Sequence, residues 1–288
     1  MYAVTGATGR VGSRVARRLA EAGVVQRCIV RNAQRAPKLS RAEVAQATYG
    51  DSEAMRRALD GVHTLFLVSA SEAEDRVREH TAAVDAAVAA GVARIIYLSF
   101  LNAAPDATFT FARDHWHTED HIRGSGLRFT FLRDSLYQDF MPVYVGEDLT
   151  IRGPAKDGRV STVAVDDIAD VAMAVLLANS EHDDITYDVT GPAALTLDEV
   201  ARELSRASGR RVRYQPETLD EAHNSREHFG APEYQVNGWV TTYVAIATGE
   251  LSTVSDAVPR LTGHRATTLA DTLHRYPELV QHLRMAPR

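Results

Sequence analysis

Near its start the chain reads Val4-Thr5-Gly6-Ala7-Thr8-Gly9-Arg10-Val11-Gly12. This glycine-rich run follows a short apolar strand, Tyr2-Ala3-Val4, and opens a helix predicted from about Arg10 to Ala22. A turn of this spacing between a strand and a helix is typical of the place where a dinucleotide's pyrophosphate is held. The run therefore predicts a protein that binds a nicotinamide cofactor.

The three glycines of the run have separate roles. Gly6 permits the tight strand-to-helix turn, Gly9 lets the main chain approach the phosphates, and Gly12 lets the helix pack closely on the sheet. The N–H groups and the positive dipole end of the helix then face the anion. A glycine-rich turn without a ligand is the alternative, which the strand and helix on its flanks disfavour.

The second half of this fingerprint, an acidic residue at the end of the next strand, is missing. No Asp or Glu occurs between Glu21 and Glu43, and the predicted strand Arg27-Cys28-Ile29-Val30 ends in Arg31-Asn32. A cationic strand end suits the 2′-phosphate of NADP(H), so we expect NADP(H) to be preferred over NAD(H). The alternative, a solvated basic helix face, applies above all to the cations that follow: Arg35, Lys38 and Arg41.

Length and composition limit the class of protein. The chain of 288 residues has a formal net charge of −6, which argues against nucleic-acid binding through a broad basic surface. Its one cysteine, Cys28, lies in a predicted buried strand, so we expect no disulfide framework and a cytoplasmic location. No apolar run approaches a membrane span, and the first strand begins too early for a signal peptide to precede it. We expect a monomer or homodimer whose partner is a small-molecule acceptor, without nucleic-acid or membrane binding.

Short apolar strands alternate with helices through the first half of the chain. After the two strands already named, the pattern predicts strands at 44–48, 63–68, 93–98 and 127–132, with helices at 52–59, 72–90 and 109–123. Such alternation is typical of a parallel sheet covered on both faces. We therefore predict an α/β fold, a Rossmann-type doubly wound parallel sheet with a smaller mixed α/β C-terminal substrate (cap) domain.

The regular alternation of strands and helices changes after Arg133. Predicted helices at 137–145, 166–178, 197–207 and 233–248 are separated by short strands at 159–163, 185–189 and 211–214. We expect residues 1–134 to form the dinucleotide-binding domain and residues 135–288 the smaller cap, with a segment of about 160–191 packing back on the sheet. The substrate cleft is expected between the two, outside the carboxyl ends of the strands.

Side chains at the strand ends are therefore candidate site residues. Asp51-Ser52 would border the adenine, Val68-Ser69 would pass the pyrophosphate and ribose, and Ser99 would approach the nicotinamide. Asp and Ser also cap helices readily, so plain loop chemistry is the alternative, above all for Asp51.

Six stretches of the chain make it resemble a known family. They are Thr5-Gly6-Ala7-Thr8-Gly9, Arg31-Asn32, Tyr49-Gly50-Asp51, His115-Trp116-His117-Thr118-Glu119, Phe131-Leu132-Arg133-Asp134-Ser135-Leu136-Tyr137 and Leu261-Thr262-Gly263-His264. The chain resembles the NmrA-like branch of the atypical short-chain dehydrogenases/reductases, and within it the quinone oxidoreductase type 2 and triphenylmethane reductase group. The resemblance implies an NADP(H)-binding reductase of quinones or other electron-poor conjugated acceptors. The family also contains redox sensors that bind the dinucleotide without turnover.

By position, the resemblance implies roles for individual residues. The turn from Gly6 to Val11 would hold the pyrophosphate and Arg31 the 2′-phosphate, while His115 to Glu119 and Tyr137 would border the substrate. The predicted cofactor-binding residues are Gly6, Thr8, Gly9, Arg10, Val11, Gly12, Arg31, Asn32, Asp51, Ser52, Val68, Ser69 and Ser99. The predicted catalytic residues are His115, Glu119 and Tyr137. No metal site is expected, because the i,i+4 pair His117 and His121 lacks a supporting His-Glu-x-x-His frame.

Typical members of the wider superfamily protonate the substrate through a tyrosine four residues before a lysine. This chain has two lysines, Lys38 and Lys156, and the residues four before them are Gln34 and Arg152, so the pair is missing. The equivalent helix carries His115 and Glu119 on one face, where His115 would donate a proton near neutral pH and Glu119 would orient it or raise its pKa. A helix cap and a salt-linked helix surface are an equal alternative.

The missing pair favours an electron-poor acceptor. Hydride reduction of a simple ketone generates an alkoxide that needs a positioned acid, whereas a quinone or a cationic dye gives a delocalised or neutral product. We therefore predict an NADPH-dependent reductase that transfers hydride directly to such an acceptor, with His115 or water supplying any proton. The alternative is a non-catalytic NADP(H)-binding redox sensor.

Overall fold

The computed structural model describes residues 1–178 and 180–285. Strands occupy Tyr2–Thr5 (β1), Gln26–Val30 (β2), Ala42–Gln46 (β3), Thr64–Val68 (β4), Arg94–Phe100 (β5), Arg128–Asp134 (β6), Thr150–Gly153 (β7), Arg159–Val160 (β8), Ile185–Val189 (β9), Leu195–Thr196 (β10) and Arg213–Pro216 (β11). Helices occupy Arg10–Glu21 (α1), Ser52–Ala58 (α2), Arg76–Ala89 (α3), Thr110–Gly124 (α4), Val165–Leu177 (α5), Leu197–Ser208 (α6), Leu219–Asn224 (α7), Glu233–Ala247 (α8), Ala257–Thr262 (α9), Leu269–Arg275 (α10) and Gln281–Arg284 (α11). Short 3₁₀ helices cover Ala33–Arg35, Gln138–Tyr144, Glu227–Phe229 and Pro277–Val280.

The central sheet has seven strands in the order β3-β2-β1-β4-β5-β6-β9. The pairs β1·β2, β2·β3, β1·β4, β4·β5 and β5·β6 are parallel. The strand order runs outward in both directions from β1, so the chain crosses the sheet between β3 and β4. The predicted Rossmann-type α/β fold is confirmed, and the crevice where such sheets bind ligands lies beyond the carboxyl ends of β1 and β4.

The middle of the sheet explains why these strands are continuous apolar runs. All seven residues of β5 are buried, and Leu65, Phe66 and Leu67 of β4 are 0% exposed. A strand covered on both faces has no solvated side, so it lacks the alternation of an exposed sheet. The polar exceptions within it, such as Tyr97 of β5, therefore need partners inside the protein.

The chain divides into two compact units. The first consists of Met1–Pro105, Arg113–Asp134 and Ile168–Asp188, and the second begins with Asp106–Ala112 and Ser135–Asp167 and continues from Val189 to the last described residue. The first unit thus takes in most of α5 and most of β9 from the half of the chain predicted as cap. Residues 179 and 286–288 of that predicted cap lie outside the described residues.

The second unit combines two small sheets with short helices. β7 pairs in parallel with β11, and β8 pairs antiparallel with β10. Thr196 and Glu199 form a capping box at the start of α6, and Thr218 and Glu221 form another at α7. Each box satisfies two helix-end N–H groups, which starts the helix at a defined residue.

Two predictions for this half of the chain need correction. The predicted helix at 137–145 is a 3₁₀ helix, because Pro142 has no N–H to continue an α-helical ladder. The predicted strand at 159–163 is limited to Arg159–Val160, and β7 was not predicted at all.

No helix in the described part of the chain is both long and apolar enough to span a membrane.

Candidate functional site

The glycine-rich turn joins β1 to α1 as a tight loop. Gly6 has a positive φ of 60°, and a Cβ there would lie 3.1 Å from Cβ of Val68 on the neighbouring strand. A Cβ on Gly12 would lie 2.3 Å from the Gly6 carbonyl oxygen, and one on Gly9 would lie 3.2 Å from the same oxygen. The glycines at 6 and 12 are therefore required by conformation and by contact.

The N-terminus of α1 is open. Gly9 is its N-cap, no side chain caps the helix, and the first turn contains no acidic residue. The first helical hydrogen bond runs from Ser13 N–H to the Gly9 carbonyl at 3.2 Å, so the amides of residues 10–12 precede it. Thr8 and Arg10 are exposed beside this end, whereas Val11 is buried against the sheet.

The basic end of β2 lies beside the end of β1 in the sheet. Arg31 and Asn32 follow β2 directly, and both are exposed. The Asn32 side chain accepts a hydrogen bond from Gln34 N–H at 2.9 Å and so caps the following 3₁₀ helix. Asn32 thus serves as a helix cap, and Arg31 is the residue of this pair that does not.

Asp51 caps a helix, which is the alternative role that the sequence predicted for it. Its side chain is the N-cap of α2 and accepts a hydrogen bond from Ala54 N–H at 3.0 Å. Ser52 is the first residue of that helix, and both side chains are exposed. Their assignment to the adenine stays a prediction.

Tyr49 fastens the end of β4 to β1. Its hydroxyl lies 2.5 Å from the Val68 carbonyl oxygen and 2.6 Å from Oγ1 of Thr5. Thr5 Oγ1 also accepts a hydrogen bond from Val68 N–H at 2.9 Å. The two strand ends that border the predicted crevice are therefore held together by side chains, and Val68 and the half-buried Ser69 begin the loop beyond them.

His115 lies inside the first unit, not on a helix surface. It is 5% exposed, its Nε2 accepts a hydrogen bond from Arg76 Nη2 at 2.9 Å, and its Nδ1 lies 3.0 Å from the Tyr97 hydroxyl. Because a guanidinium can only donate, Nε2 is the acceptor and Nδ1 carries the proton. Burial lowers the pKa of His115 well below its ordinary value, and the charge of Arg76 adds to the shift.

Two expectations for His115 are therefore corrected. A proton donor active near neutral pH would need a pKa near 7, and the desolvation of His115 moves its pKa in the opposite direction. Glu119 neither orients His115 nor raises its pKa, since the two ring nitrogens bond Arg76 and Tyr97. The alternative of a helix cap is also wrong for His115, because it is the sixth residue of α4.

Glu119 is the centre of a separate buried ion pair. It is 0% exposed and accepts hydrogen bonds from Ser99 Oγ at 2.6 Å and from Arg133 Nε and Nη2 at 2.8 and 2.6 Å. Arg123 adds a bond at 2.9 Å from the same helix. The predicted salt-linked surface is thus a bidentate pair between the fully buried Glu119 and the half-buried Arg133. It joins α4 to β6, and the hydrogen bond from Ser99 joins α4 to β5.

The predicted catalytic residues fall into different units. His115 and Glu119 belong to the first unit, and Tyr137 belongs to the second, where it is half-buried. There Tyr137 forms a β-bridge with Val163 and is the N-cap of the 3₁₀ helix that follows it. Its role at the substrate stays a prediction.

Three polar residues that surround these side chains were not predicted from the sequence: Arg76, His80 and Tyr97. His80 Nδ1 lies 2.9 Å from Thr118 Oγ1, and its Nε2 accepts a hydrogen bond from Ala70 N–H at 2.7 Å. The available signal was a tyrosine inside the apolar strand β5, since a buried hydroxyl needs a partner. The partners themselves lie on α3 and α4 and have no motif in common.

Acidification is expected to destabilise the protein through His80 and His115. Burial lowers the pKa of His80 from 6.5 to about 3 and that of His115 well below 6.5, with Arg76 contributing to both shifts. The unfolded chain binds these protons first, so the stabilisation is complete above pH 6.5 and is lost as the pH falls toward the folded-state pKa values.

The expected slope is about 1.4 kcal/mol per pH unit for each histidine below its unfolded-state pKa. Urea unfolding of the parent protein and of His115→Gln, repeated at several pH values from neutral downward, measures it. The parent is expected to lose stability more steeply than the variant by about this amount. Equal slopes would show that folding does not lower the pKa of His115.

Comparison with known proteins gives the family. The model of the NmrA-like family matches residues 2–231. The chain belongs to the NmrA-like family. The match covers the glycine-rich turn, the sheet, the buried ion pair and most of the second unit.

Individual NmrA-like relatives match nearly the whole chain. The NAD(P)H azoreductase of Xenophilus azovorans is 34% identical over 277 residues, which are 94% of this chain and 96% of that protein. Quinone oxidoreductase 2 of Escherichia coli (strain K12) is 33% identical over 281 residues, 95% and 97% of the two chains. The crystal structure of the Citrobacter sp. triphenylmethane reductase complexed with NADP(H) has a TM-score of 0.83 and 32% identity, and covers 96% of this chain and 99% of that chain. The chain is an oxidoreductase of the NmrA-like family.

Proposed function

We propose that the chain is an NADPH-dependent reductase that transfers hydride to a quinone-like or other electron-poor conjugated acceptor. The observation that carries the proposal is the glycine-lined turn at the open N-terminus of α1. A helix N-terminus whose N-cap is a glycine and whose first turn carries no acidic residue suits an anion such as a pyrophosphate. The NADP(H) named with the triphenylmethane reductase structure supports the same cofactor class.

The residues present fit this cofactor. Gly6, Gly9 and Gly12 leave main chain where side chains would otherwise fill the turn, and Thr8 and Arg10 lie exposed at its edge. These residues, with Val11, would hold the pyrophosphate, and the loop after β4 would hold the ribose and nicotinamide. When bound, NADPH supplies a hydride from C4 of its nicotinamide.

Arg31 would select the 2′-phosphate. We expect Arg31→Ala to weaken NADPH binding at least tenfold and to change NADH binding by less than about twofold, since a charge-assisted hydrogen bond contributes about 1.5–3 kcal/mol. Nicotinamide fluorescence titrations with both cofactors measure this. Arg35→Ala, four residues along the same exposed segment, is the matched control and should alter neither constant. Equal losses for NADPH and NADH in Arg31→Ala would refute the assignment.

The internal bonds of His115 and Glu119 support a particular class of acceptor. Both nitrogens of His115 have partners inside the protein, and the Glu119 carboxylate is paired with Arg133. A hydride acceptor whose reduced form is delocalised or neutral needs no strong positioned acid, so water supplies any proton. Relatives named an azoreductase, a quinone oxidoreductase and a triphenylmethane reductase support this class.

One assay tests the proposal. Purified protein, checked for bound flavin, is mixed with NADPH and then with quinones, azo dyes and cationic triphenylmethane dyes, while nicotinamide fluorescence and absorbance are followed. Acceptor-dependent loss of NADPH is the expected result, and simple ketones are expected to react far more slowly. Tight NADPH binding without loss of absorbance for any acceptor would refute the reductase.

A non-catalytic NADP(H) sensor is the second candidate. It is favoured by the same full engagement of His115 and Glu119 in internal bonds, which a protein without turnover would also show. A sensor would bind NADPH and NADP⁺ with different affinities and consume neither. Dissociation constants for the two redox forms, measured beside the turnover assay, distinguish the candidates.

A further inference from the structure

The main chain of Ala70 is held by two side chains of α3. Ala70 N–H donates to His80 Nε2 at 2.7 Å, and Arg76 Nε donates to the Ala70 carbonyl at 3.0 Å. Main-chain groups of a loop are usually satisfied by neighbouring main chain or water. At Ala70, both the N–H and the carbonyl are instead bonded to buried side chains.

Those two side chains are themselves fixed by α4. Because Ala70 N–H can only donate, His80 Nε2 is the acceptor and His80 Nδ1–H donates to Thr118 Oγ1 at 2.9 Å. Arg76 Nη2 donates to His115, and Arg76 Nη1 lies 3.6 Å from Asp114 Oδ2. The loop is thus held by two side chains of α3, and those side chains are in turn held by residues of α4.

Burying these groups is costly, which indicates a role beyond packing. Arg76 is 5% exposed and His80 is 0% exposed. An apolar side chain of similar volume would fill the same space without desolvating a guanidinium or an imidazole. What an apolar side chain would not supply is an acceptor for Ala70 N–H and a donor for its carbonyl.

The held loop begins at the predicted cofactor crevice. β4 is the neighbour of β1, and a Cβ on Gly6 would lie 3.1 Å from Val68, two residues before Ala70. Thr5 and Tyr49 hold Val68 on the other side of Ser69. Ser69 therefore lies between two fixed residues.

We propose that Arg76 and His80 are positioning residues that fix the Ser69–Ala70 main chain for contact with the ribose and nicotinamide half of NADPH. This inference rests on the proposed function. Neither side chain is assigned to the cofactor or to the acceptor, and both act through Ala70.

The test compares three variants of the full chain. His80→Leu removes the acceptor for Ala70 N–H, His80→Gln keeps an amide oxygen in its place, and His63→Leu makes the same change beside the amino end of β4. NADPH dissociation constants come from nicotinamide fluorescence, and exchange of the Ala70 amide is followed by NMR in protein without cofactor. Circular dichroism verifies that each variant is folded.

His80→Leu is expected to weaken NADPH binding about tenfold and to accelerate Ala70 amide exchange at least tenfold. His80→Gln is expected to restore both values to within about threefold of the parent, and His63→Leu to leave them unchanged. Rescue by glutamine is a result that a purely space-filling role would not produce.

Two results would overturn the proposal. Parent-like NADPH binding by folded His80→Leu would remove the positioning role while leaving the proposed function in place. Failure of the parent protein itself to bind NADPH would overturn the proposed function and this inference together. If His80→Leu does not fold, Arg76→Met replaces it, because methionine has a similar length but no donor for the Ala70 carbonyl. Parent-like binding by that variant would equally overturn the proposal.

Discussion

Replacing Gly12 with alanine is expected to abolish measurable NADPH binding and to lower the free energy of unfolding by about 3 kcal/mol, the upper end of the usual cost of overpacking. The new Cβ would lie 2.3 Å from the Gly6 carbonyl oxygen, 2.6 Å from its carbonyl carbon and 2.7 Å from the Thr5 carbonyl oxygen. All three atoms are main chain, so no side-chain rotation relieves the clash. Either α1 moves away from β1 or the turn opens, and both changes displace the helix N-terminus that would face the pyrophosphate.

Gly124→Ala is the matched control for this variant. Gly124 is likewise a helical glycine without a positive φ, the last residue of α4, and a Cβ there would meet nothing within 4 Å. Alanine is the better helix former, so this change is expected to be neutral or slightly stabilising. Chemical denaturation and nicotinamide fluorescence of both variants measure the two effects. A Gly12→Ala protein with parent-like binding would show that the close approach of α1 to the turn is not needed for the cofactor.

Removing the Glu119 carboxylate is the second change with a large expected effect. Glu119→Ala is expected to lower the free energy of unfolding by about 3 kcal/mol or more, as for other buried ion pairs that lose one partner. The variant leaves the guanidinium of Arg133 and the hydroxyl of Ser99 without the oxygen atoms that they bond in the folded protein. Burial works against the charge on Arg133, whereas the hydrogen bonds and charge of Glu119, with a further contribution from the charge of Asp188, raise its pKa above the ordinary value.

Glu53→Ala gives the surface comparison. Glu53 is exposed and pairs with Arg56 at 3.3 Å and Arg57 at 3.7 Å on α2, so its loss is expected to change stability by less than about 0.5 kcal/mol. Denaturant unfolding of both variants supplies the comparison. Turnover is then measured per folded molecule, which separates an effect on stability from an effect on catalysis. A Glu119→Ala protein with parent-like stability but without turnover would mean that the carboxylate acts on the substrate.

Much of the fold was predictable because its signals are local. The spacing of Gly6, Gly9 and Gly12 encodes a turn, a helix start and a close packing contact within seven residues. The apolar runs of β4 and β5 encode strands covered on both faces. Errors occurred where a local pattern had two outcomes, as at Pro142, where the helical periodicity was correct but the missing N–H gave a 3₁₀ helix.

The candidate site was predictable only in part. The residues at the strand ends could be named as candidates because every parallel strand delivers its carboxyl end to the same edge of the sheet, and their roles toward a cofactor stay predictions. Their partners were not found, because Tyr97 is 18 residues and Arg76 is 39 residues from His115 along the chain. Helical spacing placed His115 and Glu119 on one face, and it carried no information about which elements cover that face.

The sequence by itself thus determined the glycine-rich turn, the alternation of strands and helices in the first half of the chain, the basic end of β2 and the capping role open to Asp51, since each depends on the conformational limits or charge of adjacent residues. Only the tertiary structure decided what His115 and Glu119 do. Burial lowers the pKa of His115 well below its ordinary value, and the approach of β6 pairs Glu119 with Arg133. The physical reason is that desolvation and ion pairing depend on neighbours brought together by folding, whereas backbone conformation depends on neighbours in the chain.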